Sequence, residues 1–530
     1  MSTELDHTTV YPPLLQALCN PDVYPHHTDA VRIIETHISW VLLTGPYAYK
    51  IKKPVAFSFL DFSTLEKRQF YCAEEVRLNR RLAAELYLAV VPITGSDDDP
   101  ELAGAGQIIE YAVKMAQFPA GQLLAEQAAC GQLEVGYCDQ IADRLADFHG
   151  NIARAGIDMP YGDSGIISHW FVENFAQLGL MLKNDLELQQ MRAIEAWGVT
   201  EWQRIVGLVQ SRKQLGYVRE CHGDLHLGNM TLIDGKVVLF DCIEFNPELR
   251  WIDVISDLAF LMVDLLHFAY DAHAYRVLNR YLQETGDYAG LGVLRYYLVY
   301  RALVRGKVAL LRATGQRDTG LCQQAQDEYA IFARLAERFT DSRRPQLIIT
   351  HGYSGSGKST FAAQLAEKSA AIQLRSDVER KRLFGYRATG QTAGEVYTQT
   401  ASRQTYQRLA ELTTTVIQAG FSAIVDATFL QTEQRQQFKD LAVQCGVTFV
   451  ILDFQAGEQV LMERINRRLT QQNDASEATV EILRQQLRSA QPLSADEQSY
   501  SVSIDAGSEH ALTTLLEQIV CGPVGYFKGG

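Results

Sequence analysis

Residues Gly352-Tyr353-Ser354-Gly355-Ser356-Gly357-Lys358-Ser359 satisfy G-x-x-x-x-G-K-S. The motif sits between an apolar run, Leu347-Ile348-Ile349-Thr350, and a helix-forming run that begins at Thr360. Strand, tight glycine turn and helix in that order predict a parallel α/β unit and admit few other folds. The glycines let the backbone curl until its N–H groups converge on phosphate, and the helix N-terminus adds its positive dipole end. Lys358 is expected to reach the β- and γ-phosphates, and the Ser359 hydroxyl to ligate Mg²⁺. The candidate cradle therefore comprises Gly352, Ser354, Gly355, Ser356, Gly357, Lys358, Ser359 and Thr360, with ATP as the expected ligand.

At 530 residues the chain has room for roughly three or four domain-sized units. With 47% hydrophobic and 21% charged residues it reads as an ordinary globular protein with real cores. A net charge of −14 speaks against a broad nucleic-acid surface, though not against a local basic cleft. Nine cysteines without a C-x-x-C pair fit reduced thiols better than a disulfide framework. The apolar stretch 251–270 is broken by Asp253, Asp257 and Asp264, so it is not read as a membrane span, and the first residues lack a signal-peptide pattern. The expectation is a cytoplasmic protein with no membrane association and no obligate protein partner.

Three blocks are expected. Residues 1–116 alternate short strands with one strong helix, including strands at 38–43 and 47–52 turned at Gly45-Pro46, and a helix from Ser63 with Glu66 in capping-box spacing. Residues 117–340 are mostly helical, apart from a strand at 237–240 after the turn Asp234-Gly235. The polar stretch 340–345 reads as a linker, and residues 345–530 alternate strands and helices. The last five residues read as a frayed tail.

A second ATP signature precedes the phosphate loop. His222-Gly223-Asp224-Leu225-His226-Leu227-Gly228-Asn229 fits the kinase spacing H-x-D-x-x-x-x-N, and Asp241 follows a hairpin-like turn. In that pattern Asp224 takes the acceptor proton, while Asn229 and Asp241 supply oxygen ligands for Mg²⁺. Upstream, Lys50 on a strand would pair with Glu75 on the next helix. Lys52 shares the strand face and remains a rival, as Glu74 does for Glu75. His226 reads as structural, Asp257 as a brace for the catalytic loop, and Glu244 as a metal tuner or a bystander.

These residues resemble the aminoglycoside phosphotransferase family, a branch of the protein-kinase-like fold marked by H-G-D-x-x-x-x-N. The stretches 50–54, 59–68, 78–82 and 256–261 are similar to bacterial two-part proteins in which such a domain is fused to a P-loop ATPase. The resemblance implies an α+β bilobal kinase-like domain followed by a three-layer α/β P-loop domain with a parallel sheet. No G-x-G-x-x-G precedes Lys50; only Gly45 lies in the turn.

Downstream, Leu374-Arg375-Ser376-Asp377-Val378-Glu379-Arg380 resembles P-loop kinases of the polynucleotide 5′-kinase, zeta-toxin and gluconate-kinase type. That likeness implies Asp377 as general base and Arg380 as an acceptor or phosphate contact; the competing reading makes Asp377 a helix cap. Arg464 and Arg468, with Arg467, resemble the lid of such kinases, or else form a solvated helix face. Asp426, ending a strand, is either a metal or acceptor contact or a turn former. No AAA-type arginine finger or sensor pattern is visible, so the block reads as a kinase rather than a motor. The whole predicts an ATP- and Mg²⁺-dependent phosphotransferase with two sites and small-molecule acceptors. The rivals are a regulatory ATPase without an acceptor and a kinase of nucleic-acid 5′ ends, the latter not favoured.

Overall fold

Short runs rich in β-branched and aromatic residues near the N-terminus build an antiparallel sheet in the computed structural model, which describes residues 11–57, 60–313, 318–341, 344–387, 398–471 and 476–505. Its six strands run Arg32–Glu35, Ser39–Leu43, Tyr47–Lys52, Ile108–Ala116, Tyr87–Ser96, Asp99–Leu102 in spatial order. The expected turn at Gly45 has φ +94°, and Thr44 N donates to Tyr47 O at 2.9 Å to close it. The first hairpin closes just as tightly, with Thr36 N on Ser39 O at 2.9 Å, and carries no glycine.

The strong helix spans Leu65–Ala83 and packs on this sheet. Its N-cap is Thr64, whose hydroxyl accepts from Lys67 N at 3.3 Å, so the expected Ser63/Glu66 capping box is not formed. Ser63 is drawn away because its hydroxyl donates to Asp61 Oδ1 at 2.6 Å. Glu75 and Asn79 lie one turn apart on the buried face, with Leu78 and Leu82 beside them.

Helices dominate the next lobe. The apolar run at 251–270 becomes the helix Val254–His267, every residue of which is buried except the last. Helices Asp271–Thr285 and Leu291–Ala313 pack against it. Among the described residues no helix is long and apolar enough to cross a membrane. A hairpin, Met230–Ile233 with Lys236–Leu239, turns on Asp234 and Gly235 at φ +49° and +73°.

The last unit is a five-stranded parallel sheet in the order Ile372–Arg375, Ala423–Asp426, Gln346–His351, Thr448–Gln455, Ser501–Asp505. Ile348, Ile424, Val450 and Leu452 face the helix Lys358–Ser369 through Phe361, Ala362 and Leu365. On the opposite face Leu347, Ile349, Leu374 and Val425 join the same apolar cluster as Phe260, Tyr281 and Leu298 of the helical lobe. One core thus runs from the helical lobe into the P-loop unit. Arg295 fastens the connecting segment by donating to Phe339 O at 2.6 Å and Asp341 O at 2.7 Å. The eight described cysteines are all free.

Candidate functional site

Two side chains that leave the same strand face, Lys50 and Lys52, both converge on Glu75, which is fully buried. Lys50 Nζ lies 2.8 Å from Glu75 Oε1 and 2.5 Å from Asp241 Oδ1; Lys52 Nζ lies 2.6 Å from Glu75 Oε2 and also meets Glu244. The rivalry between the lysines resolves as a division of labour, since Lys50 alone of the two reaches Asp241. Glu74 points away and pairs with Arg77 at 2.8 Å. Burial pulls the Lys50 ammonium down, but Asp241 and Glu75 outweigh it and hold its pKa well above the ordinary value. Burial likewise raises the Glu75 carboxyl, and the two lysines more than reverse this.

Asp241 carries φ +64°, a conformation that costs a non-glycine residue of order 1–3 kcal/mol and clusters at working sites. Tyr87 Oη accepts from its N–H at 3.2 Å, and Asn79 Oδ1 accepts from Cys242 N at 2.8 Å. The glutamate helix therefore holds both Lys50 and the loop carrying Asp241. It is itself clamped to the helical lobe: Arg77 and Arg81 reach Glu220 at 2.8 and 3.2 Å, and Arg250 joins at 3.2 Å.

Asp257 accepts from His222 N at 3.0 Å and Gly223 N at 2.9 Å, bracing the loop as expected. On that loop Asn229 Nδ2 donates to Asp224 O at 3.0 Å and Oδ2 at 3.2 Å. His226 caps the turn that carries Asn229 and also meets Asp224. Its Nδ1 accepts from Gly228 N at 3.1 Å, leaving the proton on Nε2, which lies 3.3 Å from Asp224 Oδ2. Burial would raise the Asp224 carboxyl, but His226, Arg305 and His222 hold it far below the usual range. Asp224 and Asp241 keep 38% and 37% of their side chains exposed, against 17% for His226 and 12% for Lys50, so both acids face solvent more than their partners do.

In the P-loop unit Gly352, Gly355 and Gly357 adopt φ +141°, +84° and +85°. A Cβ at Gly352 or Gly355 would come within 2.8 Å of the Phe454 or Leu461 carbonyl oxygen, so the curl demands glycine there. Lys358 bends onto its own loop, donating to Tyr353 O at 2.6 Å. Burial brings its pKa down to about 8, partly offset by Asp426 and Asp377. The Ser359 hydroxyl donates to Asp426, which ends the neighbouring strand and is 4% exposed. Ser359 with Asp426, and Asn229 with Asp241, are hard oxygen donors of the kind Mg²⁺ takes. Gln486, unremarked in the sequence, caps the loop, accepting from Ser354 N and donating to Ser354 Oγ, each at 3.0 Å.

Helix Ser376–Leu383 has Arg375 at its N-cap with no side-chain capping bond, so Asp377 is not a cap. Instead Arg380 Nη1 donates to Asp377 Oδ1 at 3.0 Å. Asp377, Arg380, Ser354, Gly355, Gly357, Lys358, Ser359, Thr360, Asp426, Arg464, Arg467 and Arg468 all line one cavity of about 1460 Å³. Arg464 Nη1 and Arg468 Nε are buried there without a hydrogen-bond partner among the described residues.

A family model described as an AAA domain matches residues 347–493. An uncharacterized protein of Mycobacterium tuberculosis is 31% identical over 456 residues, covering 84% of this chain and 88% of the relative; one from Mycobacterium bovis matches equally. The chain belongs to their family. In this family member a kinase-like unit precedes a P-loop unit. Among solved structures, a choline/ethanolamine kinase family protein from Mesorhizobium loti is 13% identical, covering 61% of this chain and 98% of its own, with a TM-score of 0.35. A gluconokinase from Sinorhizobium meliloti is 19% identical, covering 33% and 97%, with a TM-score of 0.23.

Proposed function

We propose that the chain is a phosphotransferase that moves the γ-phosphoryl of Mg²⁺-ATP to small-molecule hydroxyls at two sites. One lies between the lobes 1–116 and 117–340, the other in residues 345–530, and the protein works in the cytoplasm. The observation that carries this reading is the P-loop cavity. It gathers a phosphate-gripping lysine, a Ser–Asp pair suited to a cation, and an arginine-held acid that caps nothing. Its volume of about 1460 Å³ exceeds the ~300–1000 Å³ of an ordinary ligand pocket, leaving room for donor and acceptor together.

Phosphoryl transfer asks the protein for position and charge rather than covalent chemistry. Lys358 and the Arg464–Arg467–Arg468 cluster would neutralise the phosphates, and Asp377, steadied by Arg380, would take the acceptor proton. In the lobed site Lys50, fixed by Glu75, grips phosphate, while Asp224 receives the acceptor proton, aimed by Asn229 and His226. An acid held ionised suits a loose transition state, which needs orientation more than basicity. When bound, Mg²⁺ offsets phosphate charge at Asn229 and Asp241, and at Ser359 and Asp426.

The test is transfer from γ-labelled ATP to metabolite extracts, aminoglycosides and 5′-hydroxyl oligonucleotides. Lys358→Ala is expected to abolish labelling by the P-loop unit while the lobed site still binds nucleotide. Asp224→Ala is expected to cost the lobed site ~10²–10⁴ in rate with nucleotide affinity kept. Release of label to water alone favours a regulatory ATPase, and labelled oligonucleotide favours an end kinase.

A further inference from the structure

Helix Asp271–Thr285 belongs to the helical lobe, yet two of its amides are spent on the P-loop unit. Asn279, 6% exposed, donates from Nδ2 to Ala371 O at 3.0 Å and accepts from Gln373 N at 2.7 Å. One side chain thereby imitates a neighbouring strand on the outermost strand of the sheet, where backbone groups would otherwise be left over. One turn further on, Gln283 Nε2 lies 3.4 Å from Gln373 Oε1 and donates to it.

A carboxamide has fixed polarity, with the acceptor at one end and the donor at the other. With its oxygen turned to Gln283, Gln373 aims its nitrogen into the P-loop site. There it donates to Asp426 Oδ2 and Ser359 O, both at 3.2 Å. Gln373 is 3% exposed, so no solvent competes for these bonds. The acid beside Ser359 is thus oriented by an amide whose own orientation is set from the other unit.

We propose that Gln373 is a positioning residue for the Asp426 carboxylate, and that Asn279 and Gln283 make the helical lobe part of the P-loop unit's cation site. The proposal rests on reading Ser359 and Asp426 as Mg²⁺ partners. A group that orients a metal ligand without touching the metal commonly governs affinity by about 10- to 100-fold. Gln283 is the decisive position, because it touches neither Ser359 nor Asp426. Its side chain bonds Gln373, so a loss confined to cation binding, with metal-free nucleotide affinity and melting temperature unchanged, is the signature of an effect passed through Gln373.

The experiment uses the full chain carrying Asp241→Ala, which removes a proposed cation ligand of the lobed site, and titrates Mn²⁺ by EPR with a non-hydrolysable ATP analogue present. Gln373→Leu is expected to weaken Mn²⁺ about tenfold, and Gln283→Leu several-fold, with the analogue's affinity in EDTA unchanged. Mn²⁺ affinity equal to the parent in both variants overturns the proposal. A matching loss of metal-free analogue affinity or of melting temperature in Gln283→Leu also overturns it, because the role is then structural. Asp426→Ala separates the layers. If it leaves Mn²⁺ binding intact, the cation-site reading falls and takes the proposal with it; if it abolishes binding, the Gln373 and Gln283 results decide alone.

Discussion

In the lobed site Lys50 and Lys52 meet Glu75, Asp241 and Glu244, whereas in the P-loop site Lys358 donates to the Tyr353 carbonyl and the Ser356 hydroxyl. Arg464, Arg467 and Arg468 line the same cavity as Lys358 and add to its positive charge. The first arrangement is complete without a ligand: burial costs each lysine, and the carboxylates more than repay it. In the second, burial keeps the upper hand and holds Lys358 at about 8. Cations gathered in a cleft can therefore be balanced in advance or left for an anion to balance.

Glu75→Ala tests that contrast most severely. Stripping the shared carboxylate from two buried lysines is expected to cost about 3–5 kcal/mol in chemical unfolding. Lys358→Ala removes a cation that burial disfavours, so the ligand-free protein is expected to lose nothing. Equal losses would break the comparison.

The pH dependence sharpens it. Above pH 8 free Lys358 sheds its proton, while a bound triphosphate favours the charged form, so binding takes up a proton. Affinity at the P-loop site is then expected to fall about tenfold per pH unit above roughly 8. Lys50, raised rather than lowered, keeps the lobed site flat over the same range. Fluorescent-nucleotide titrations from pH 7 to 10 in Lys358→Ala and Asp241→Ala backgrounds separate the two curves. A smaller effect is expected of Thr64→Ala, about 1 kcal/mol, through loss of the cap on the helix that carries Glu75. Ser63→Ala should change less, since Ser63 caps nothing.

Legibility followed the kind of signal each residue carries. Motif residues such as Lys358, Ser359, Asp224 and Asn229 announce themselves because spacing along the chain mirrors spacing in the site. The parallel sheet was readable from apolar runs such as Leu347-Ile348-Ile349. Asp426 stayed ambiguous because an acid that ends a strand looks the same whether it turns the chain or faces a serine. Thr64 and Ser63 are equivalent caps on paper; the neighbouring Asp61 separates them. His226 lies inside the motif, yet nothing in the spacing ties it to Asp224, and Gln486 lies between Arg484 and Arg488, 132 residues from the Ser354 it meets. Asn279, Gln283 and Gln373 were invisible, since neutral amides 90 or more residues apart become partners only when two units dock.

The continuous core has a consequence for synthesis. Asn279 leaves the ribosome 92 residues before its partner Ala371, and the helix bearing it has an apolar wall awaiting strands not yet translated. Until those strands arrive the nascent chain holds a sticky, half-clad helical lobe, the form in which chains most readily aggregate or recruit chaperones.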